Sequence, residues 1–150
     1  MLTRKAKYAL KALTQLAHST GQPRTTAEIA DRDAIPKKFL GAILRVLVQH
    51  AIVRSRKGPG GGYELARAAD AISIASVLRV VDGPIAPVVC LSTTAYQRCS
   101  ECKHEDTCSI RLVLREAHKA TMRILEATTV ADLARRSGES SAGSVLRYAI

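Results

Sequence analysis

Val53-Arg54-Ser55-Arg56-Lys57-Gly58-Pro59-Gly60-Gly61-Gly62-Tyr63-Glu64-Leu65-Ala66 decides the reading of this 150-residue chain. Two runs, Ala51-Ile52-Val53-Arg54-Ser55 and Gly62-Tyr63-Glu64-Leu65-Ala66, have the β-branched and aromatic content of short strands. Between them, Arg56-Lys57-Gly58-Pro59-Gly60-Gly61 is too rich in glycine and proline to be anything but a turn. The stretch therefore predicts a β-hairpin with cationic flanks. A phosphate loop is the competing reading of so many glycines. That loop needs Lys-Ser/Thr and a helix after it, and here Tyr63 and Glu64 follow instead.

Upstream, three helices are expected. Over residues 2–18, Leu2, Ala6, Ala9, Leu10, Leu13, Leu16 and Ala17 recur at three-and-four spacing, and Gly21 and Pro23 end the run. Thr25-Thr26-Ala27-Glu28 has the form of a capping box and opens a short helix through Asp31. Pro36 biases Ile35 away from helix and suits a first helical position. The third helix spans about 36–50, with Phe39, Leu40, Ile43, Leu44, Leu47 and Val48 as its apolar stripe. Three short helices followed by a glycine-tipped hairpin is the order of a winged helix-turn-helix, whose third helix enters the major groove where bases are distinguishable. Lys37 and Lys38 stand at the start of that helix and Arg45 lies off its stripe. Thr26 opens the second helix, and Arg54, Arg56, Lys57, Gly58, Gly60 and Gly61 form the wing. These ten are the candidate DNA-binding residues.

Charge supports a polyanionic partner for this half only. Residues 1–67 carry 13 basic and 4 acidic side chains, whereas residues 68–150 carry 10 and 9. One Phe, four Tyr and no Trp argue against stacking platforms for single strands. No apolar run approaches the roughly 18 residues of a membrane span. The basic N-terminus lacks the apolar core of a secretory signal, so a reducing cytoplasm is the expected compartment.

Downstream, Ser73 is a plausible cap for a helix over 73–82, and Gly83-Pro84 ends it. Residues 84–108 show no period, and a loop of that length invites a functional reading. Residues 109–126 then give the longest helical pattern, with Ile110, Val113, Leu114, Ala117, Thr121, Ile124 and Leu125 on one face. A rod with such a stripe, placed after a reader domain, suits pairing with a second copy. Residues 129–134 suggest one more helical turn or two. The expected organisation is a winged helix-turn-helix (1–67), a connecting helix and linker (68–89), a cysteine loop (90–108), a dimerisation helix with a final turn (109–136) and a flexible tail (137–150). The fold class is mainly α with a small β-hairpin wing.

All four cysteines, Cys90, Cys99, Cys102 and Cys108, fall in that one loop. Clustered thiols in a reducing compartment suit a metal, a cluster or a redox switch. Only Cys99-x-x-Cys102 forms a short knuckle, which disfavours a zinc ribbon. Iron–sulfur ligation and a reversible Cys99–Cys102 disulfide both remain open. Arg98, Lys103, Arg111 and Arg115 are expected to lower nearby thiol pKa values. His104 is a further donor near the loop's end, although a lone histidine is more often solvated. No Ser-His-Asp or paired-carboxylate arrangement stands out, and nothing points to catalysis.

The chain resembles the Rrf-type family of bacterial winged-helix transcriptional regulators over roughly residues 1–135. The segments that carry the resemblance are Thr3 to Leu10, Ile29-Ala30 through Leu40, the hairpin stretch quoted above, and Asp82 to Leu91 with the thiols that follow. The resemblance implies a homodimer with crossed long helices, a DNA-bound reader in each protomer, and a 2Fe–2S or 4Fe–4S cluster on Cys90, Cys102 and Cys108. Cys99 is then extra, or the fourth ligand. Where the family's iron–sulfur members place a histidine after the last cysteine, this chain has Arg111. Where some nitric-oxide sensors place an N-terminal carboxylate, it has Lys7, and a common acidic position of the third helix is Gly41. Other relatives dispense with the cluster and sense metabolites, so a thiol-redox or metabolite-responsive regulator of the same fold is the alternative.

Overall fold

The computed structural model describes residues 2–141. Helix α1 (Arg4–His18) starts at Thr3, whose hydroxyl accepts a hydrogen bond from the Ala6 amide at 3.1 Å. Its inner face is Ala6, Ala9, Ala12, Leu13 and Leu16. Alanines at three of those positions let neighbouring helices approach closely. Helix α2 (Thr26–Asp33) begins with the expected capping box. The Glu28 amide donates to the Thr25 hydroxyl at 3.2 Å, and the Thr25 amide donates to the Glu28 carboxylate at 2.7 Å. It runs two residues further than the sequence reading and turns at Ala34, which sits in the left-handed region at φ 52°.

Helix α3 (Lys37–Gln49) follows, with Pro36 as its N-cap and not its first helical residue. Leu40, Ile43, Leu44 and Leu47 are buried as expected. Phe39 departs from the predicted stripe. It is 42% exposed and meets the Tyr8 ring edge-on at 5.8 Å, on the flank of the helix. Strands β1 (Val53–Arg56) and β2 (Gly62–Leu65) pair antiparallel, Val53 with Leu65 and Arg56 with Gly62. Tyr63 also bridges Arg24, with amide-to-carbonyl bonds of 2.9 and 2.7 Å, which fixes the hairpin to the segment leading into α2.

Helix α4 (Ile74–Asp82) is capped by Ser73, whose hydroxyl accepts from the Ser76 amide, and it ends at Gly83. Its buried face, with Ile72, joins the core of α1 and α3, so that core does not stop at residue 67. Residues 84–108 hold one turn of 3-10 helix, Val89–Leu91, and are otherwise irregular. Helix α5 (Ser109–Ala127) contains no fully buried residue.

Helix α6 (Val130–Ser141) is longer than the turn or two expected. It opens on a box of its own. The Thr129 amide donates to the Asp132 carboxylate at 2.8 Å, and the Asp132 amide donates to the Thr129 hydroxyl at 3.2 Å. Val130 is wholly buried in the common core, and α6 lies along α1, where His18 Nε2 is 2.8 Å from Ser137 Oγ. The expected flexible tail at 137 is thus helical through Ser141, and its remainder, 142–150, lies outside the described residues.

Two glycines predict opposite outcomes. At Gly62 (φ 151°) an added Cβ would sit 2.6 Å from the Arg24 carbonyl group, at the bridge holding the wing. Gly62→Ala should destabilise by about 1–3 kcal/mol. Gly41, inside α3, faces open space. Gly41→Ala should stabilise by about 0.5–1 kcal/mol through helix propensity. Urea unfolding midpoints at unchanged slope check both.

Both boxed carboxylates sit below their ordinary pKa. Glu28 is lowered chiefly by the Thr25 amide and Asp132 by the Thr129 amide. A lowered folded-state pKa contributes stability above the ordinary carboxylate range and loses it as pH falls through the folded value. Glu28→Gln with Asp132→Asn should therefore reduce the acid-side loss of Tm and lower Tm near neutrality.

A cationic reading face and a thiol loop

Along α3, Lys38, Ala42, Arg45 and Gln49 are exposed at spacings of four, three and four, which makes one outward stripe opposite the buried leucines. Gly41 flanks it without a side chain. Three of the basic residues nearby are held by carboxylates: Lys37 by Asp31 of α2 at 3.2 Å, Arg54 by its cross-strand partner Glu64 at 2.9 Å, and Arg24 by Glu28 at 3.7 Å. Lys38, Arg45, Arg56 and Lys57 are exposed and carry no ion pair among the described residues. The wing tip closes with the Gly61 amide donating to the Gly58 carbonyl at 2.9 Å. Its residues 57–60 are exposed. Thr26 is half-buried at the first position of α2, where its neighbour Thr25 makes the capping contacts. The expected cationic residues of α3 and the wing thus separate into tethered and free ones. The Arg54–Glu64 tether follows from cross-strand pairing. Lys37–Asp31 spans a turn between helices, and no local spacing rule signals it.

In the cysteine loop, Cys90 lies on the 3-10 turn, Cys99 is exposed, Cys102 is half-buried, and Cys108 is the N-cap of α5 without making a side-chain capping bond. Burial pushes the pKa of the Cys102 thiol up, with further contributions from Cys108, Cys99 and Glu105. This corrects the expectation that the surrounding cations lower it. Arg98 instead donates to the carbonyls of Cys102 and Lys103, at 3.3 and 3.0 Å. The Nε atoms of Arg111 and Arg115 are buried without a hydrogen-bond partner among the described residues. Tyr96, which the sequence did not single out, donates its hydroxyl to Glu105 at 2.7 Å and so tightens the loop. His104 is exposed. Among the described residues, no three of the His, Cys, Asp and Glu side chains are arranged to hold a metal ion. Cys99 and Cys102 share one turn, in which the Cys102 amide donates to the Cys99 carbonyl at 3.2 Å.

Helix α5 leaves the loop with its apolar side largely uncovered. Ile110, Val113 and Ile124 are 66, 70 and 60% exposed. Leu114, His118 and Leu125 turn the other way. They line, with Leu78 of α4 and residues 83–87, a cavity of about 440 Å³. Arg79 of α4 holds Glu126 of α5 at 2.6 Å.

A family model described as Rrf2, an iron-dependent transcriptional regulator, matches residues 2–136. The chain belongs to the Rrf2 family. This Rrf2 protein is 42% identical over 137 residues to an rrf2-like HTH-type transcriptional regulator of Rhodobacter capsulatus, covering 89% of this chain and 91% of the relative. Among solved structures it is similar to CymR, the global cysteine regulator of B. subtilis, with a TM-score of 0.76 and 26% identity over 91% of this chain and 97% of that one. It shares the fold of T. potens IscR at a TM-score of 0.72 and 23% identity, over 99% and 96% of the two chains. It is a winged-helix transcriptional regulator of a DNA-binding family, not an enzyme. No helix among the described residues is long and apolar enough to cross a membrane.

The thiols should differ in reactivity. In reduced, metal-free protein, exposed Cys99 should be alkylated first. Cys102 should need a higher pH than the same residue in urea-unfolded chain, because only its deprotonated form reacts. Cys108→Ala should shift that pH–rate profile back downward. Peptide mass mapping against time and pH reads each site.

Proposed function

We propose that this Rrf2 protein is a homodimeric, sequence-specific repressor of transcription, acting in the cytoplasm, whose cysteine loop receives the signal. The observation that carries the reading is the set of free, exposed cations on α3 and the wing, Lys38, Arg45, Arg56 and Lys57, in the half of the chain that holds nearly all the positive excess. Phosphates draw such a face onto duplex DNA, and the exposed stripe of α3 faces the major groove. Lys37, Arg54 and Thr26 border that face and complete the contact set with Gly58, Gly60 and Gly61. The uncovered apolar side of α5 supports pairing with a second copy, which would set two α3 helices one helical turn of DNA apart.

The loop is joined to the reader through physical contacts. Cys108 immediately precedes α5, α5 is tied to α4 by Arg79–Glu126, and α4 packs in the same core as α3. A rearrangement at the thiols therefore shifts the dimer rod against the reader, a coupling of about 1–3 kcal/mol in regulators of this kind. The family description favours iron, and the implied ligands are Cys90, Cys102 and Cys108 with Cys99 as the fourth donor of an iron–sulfur cluster. Thiolates suit such a group chemically. Among the described residues, the four cysteines are not gathered as a ligand set. The turn that joins Cys99 and Cys102, where the Cys102 amide donates to the Cys99 carbonyl at 3.2 Å, favours the second reading, in which the thiols themselves respond to oxidants or small metabolites.

The test of the first claim is anisotropy of labelled duplex DNA against salt. Affinity should fall steeply as salt rises, and Lys57→Ala should flatten the slope by about one unit. Absence of binding at low salt would remove the proposal. The two sensor readings separate on anaerobically purified protein. Iron and sulfide with visible absorbance mean a cluster. Colourless protein that releases DNA on peroxide treatment and rebinds after reduction means thiol chemistry.

A further inference from the structure

The DNA-binding reading, on which this inference rests, leaves open which side chains read bases. The exposed stripe of α3 consists of Lys38, Ala42, Arg45 and Gln49, flanked by Gly41. Its chemistry is one-sided. No Asp or Glu occurs anywhere in Lys37–Gln49, so α3 offers no carboxylate to accept from the cytosine amino group. The one amide, Gln49, is the last residue of the helix, at the end away from the capping segment. Two cations remain, and they differ from their neighbours in being free. Lys37 is turned aside to Asp31 and Arg54 is held along the sheet by Glu64. Lys38 and Arg45 have no ion pair among the described residues.

Between these two cations the helix is nearly bare. Ala42 contributes a methyl group, and a Cβ at Gly41 would meet nothing within 4 Å. A helix with such a notch can sit deep in a groove, so that long side chains on either side of the notch reach base edges instead of stopping at the backbone. Lys38 and Arg45 are seven positions apart, about 10.5 Å along the helix at about 1.5 Å per residue. Base pairs stack about 3.4 Å apart, so the two side chains reach edges about three steps apart.

We infer that Arg45 and Lys38 are the base-reading residues, each donating to the O6 and N7 acceptors of a guanine, with the two guanines about three base steps apart in every half-site. Lys37 and Arg54 then serve as backbone contacts whose carboxylate tethers fix their direction.

The experiment is selection of bound duplexes from a random pool by the full-length protein, at fixed salt, for wild type, Arg45→Ala, Lys38→Ala and Arg45→Gln. Wild type should enrich a two-fold symmetric site with two guanines per half-site at that spacing. Arg45→Ala should lose about tenfold of the preference at one guanine and keep the other, and Lys38→Ala should do the reverse. Arg45→Gln should move the preference at its position from guanine to adenine, because a Gln amide pairs with adenine N6 and N7. All four proteins should melt alike, since both positions are exposed. If Arg45→Ala and Lys38→Ala weaken every sequence equally and leave base preference unchanged, the assignment is wrong and both residues are phosphate contacts. If wild type binds the pool and enriches no sequence, the sequence-specific reading falls as well. Failure to bind at all removes the DNA reading itself.

Discussion

A short antiparallel clasp governs the architecture. The Ile74 amide donates to the Thr128 carbonyl at 2.8 Å, the Val130 amide donates to the Ile72 carbonyl at 2.9 Å, and Ser73 and Thr129 face each other between them. Ile72 and Val130 are wholly buried beside it. The clasp brings the end of α5 back to the start of α4. Everything from Gly83 to Ala127, thiols and rod included, is thus an excursion that leaves the reader's core and returns to it. The excursion buries little of its own apolar surface. Its order depends on where it departs and where it is fastened, together with contacts such as Arg79–Glu126.

That geometry explains what the sequence could and could not disclose. Helices α1 to α4 were legible because periodicity, caps and breakers agree there: Thr25 with Glu28, Ser73 before α4, Gly83 after it. The hairpin was legible from its turn chemistry, to within a residue or two. The clasp was not, because two-residue bridges between positions some 56 apart leave no local pattern. Helix α6 was underestimated for a related reason. Thr129-Val130-Ala131-Asp132 is a capping box with Asp in place of the usual Glu, and the Ser-Gly-Glu-Ser-Ser run after Arg136 has poor helix propensity. Packing against α1 offsets that propensity for as far as the helix is described. Phe39 errs in the opposite sense: an aromatic at helical spacing reads as core, although its partner is the half-exposed Tyr8.

At the site, the residue types were legible and their pairing was not. Composition placed the cations on α3 and the wing. It did not reveal that Asp31 and Glu64 remove two of them from free service. The thiols are legible by count, but at Cys102 the expected direction of the pKa shift is inverted. Nearby arginines raise the expectation of a lowered thiol pKa, yet Arg98 spends its donors on backbone carbonyls, and burial dominates at Cys102. Proximity in sequence fixes neither where a guanidinium points nor how far water reaches.

The clasp also bears on how this molecule tolerates damage. A protease that cut the irregular stretch between 93 and 107 would sever the polypeptide without separating its parts. The amino-terminal piece would keep α1 to α4, and the carboxy-terminal piece would stay docked through Val130, α6 and the paired backbone at Ser73 and Thr129. Nicked protein of this kind would run as two bands on a denaturing gel and as one particle in solution, a natural starting point for split halves that reassemble on the groove of DNA.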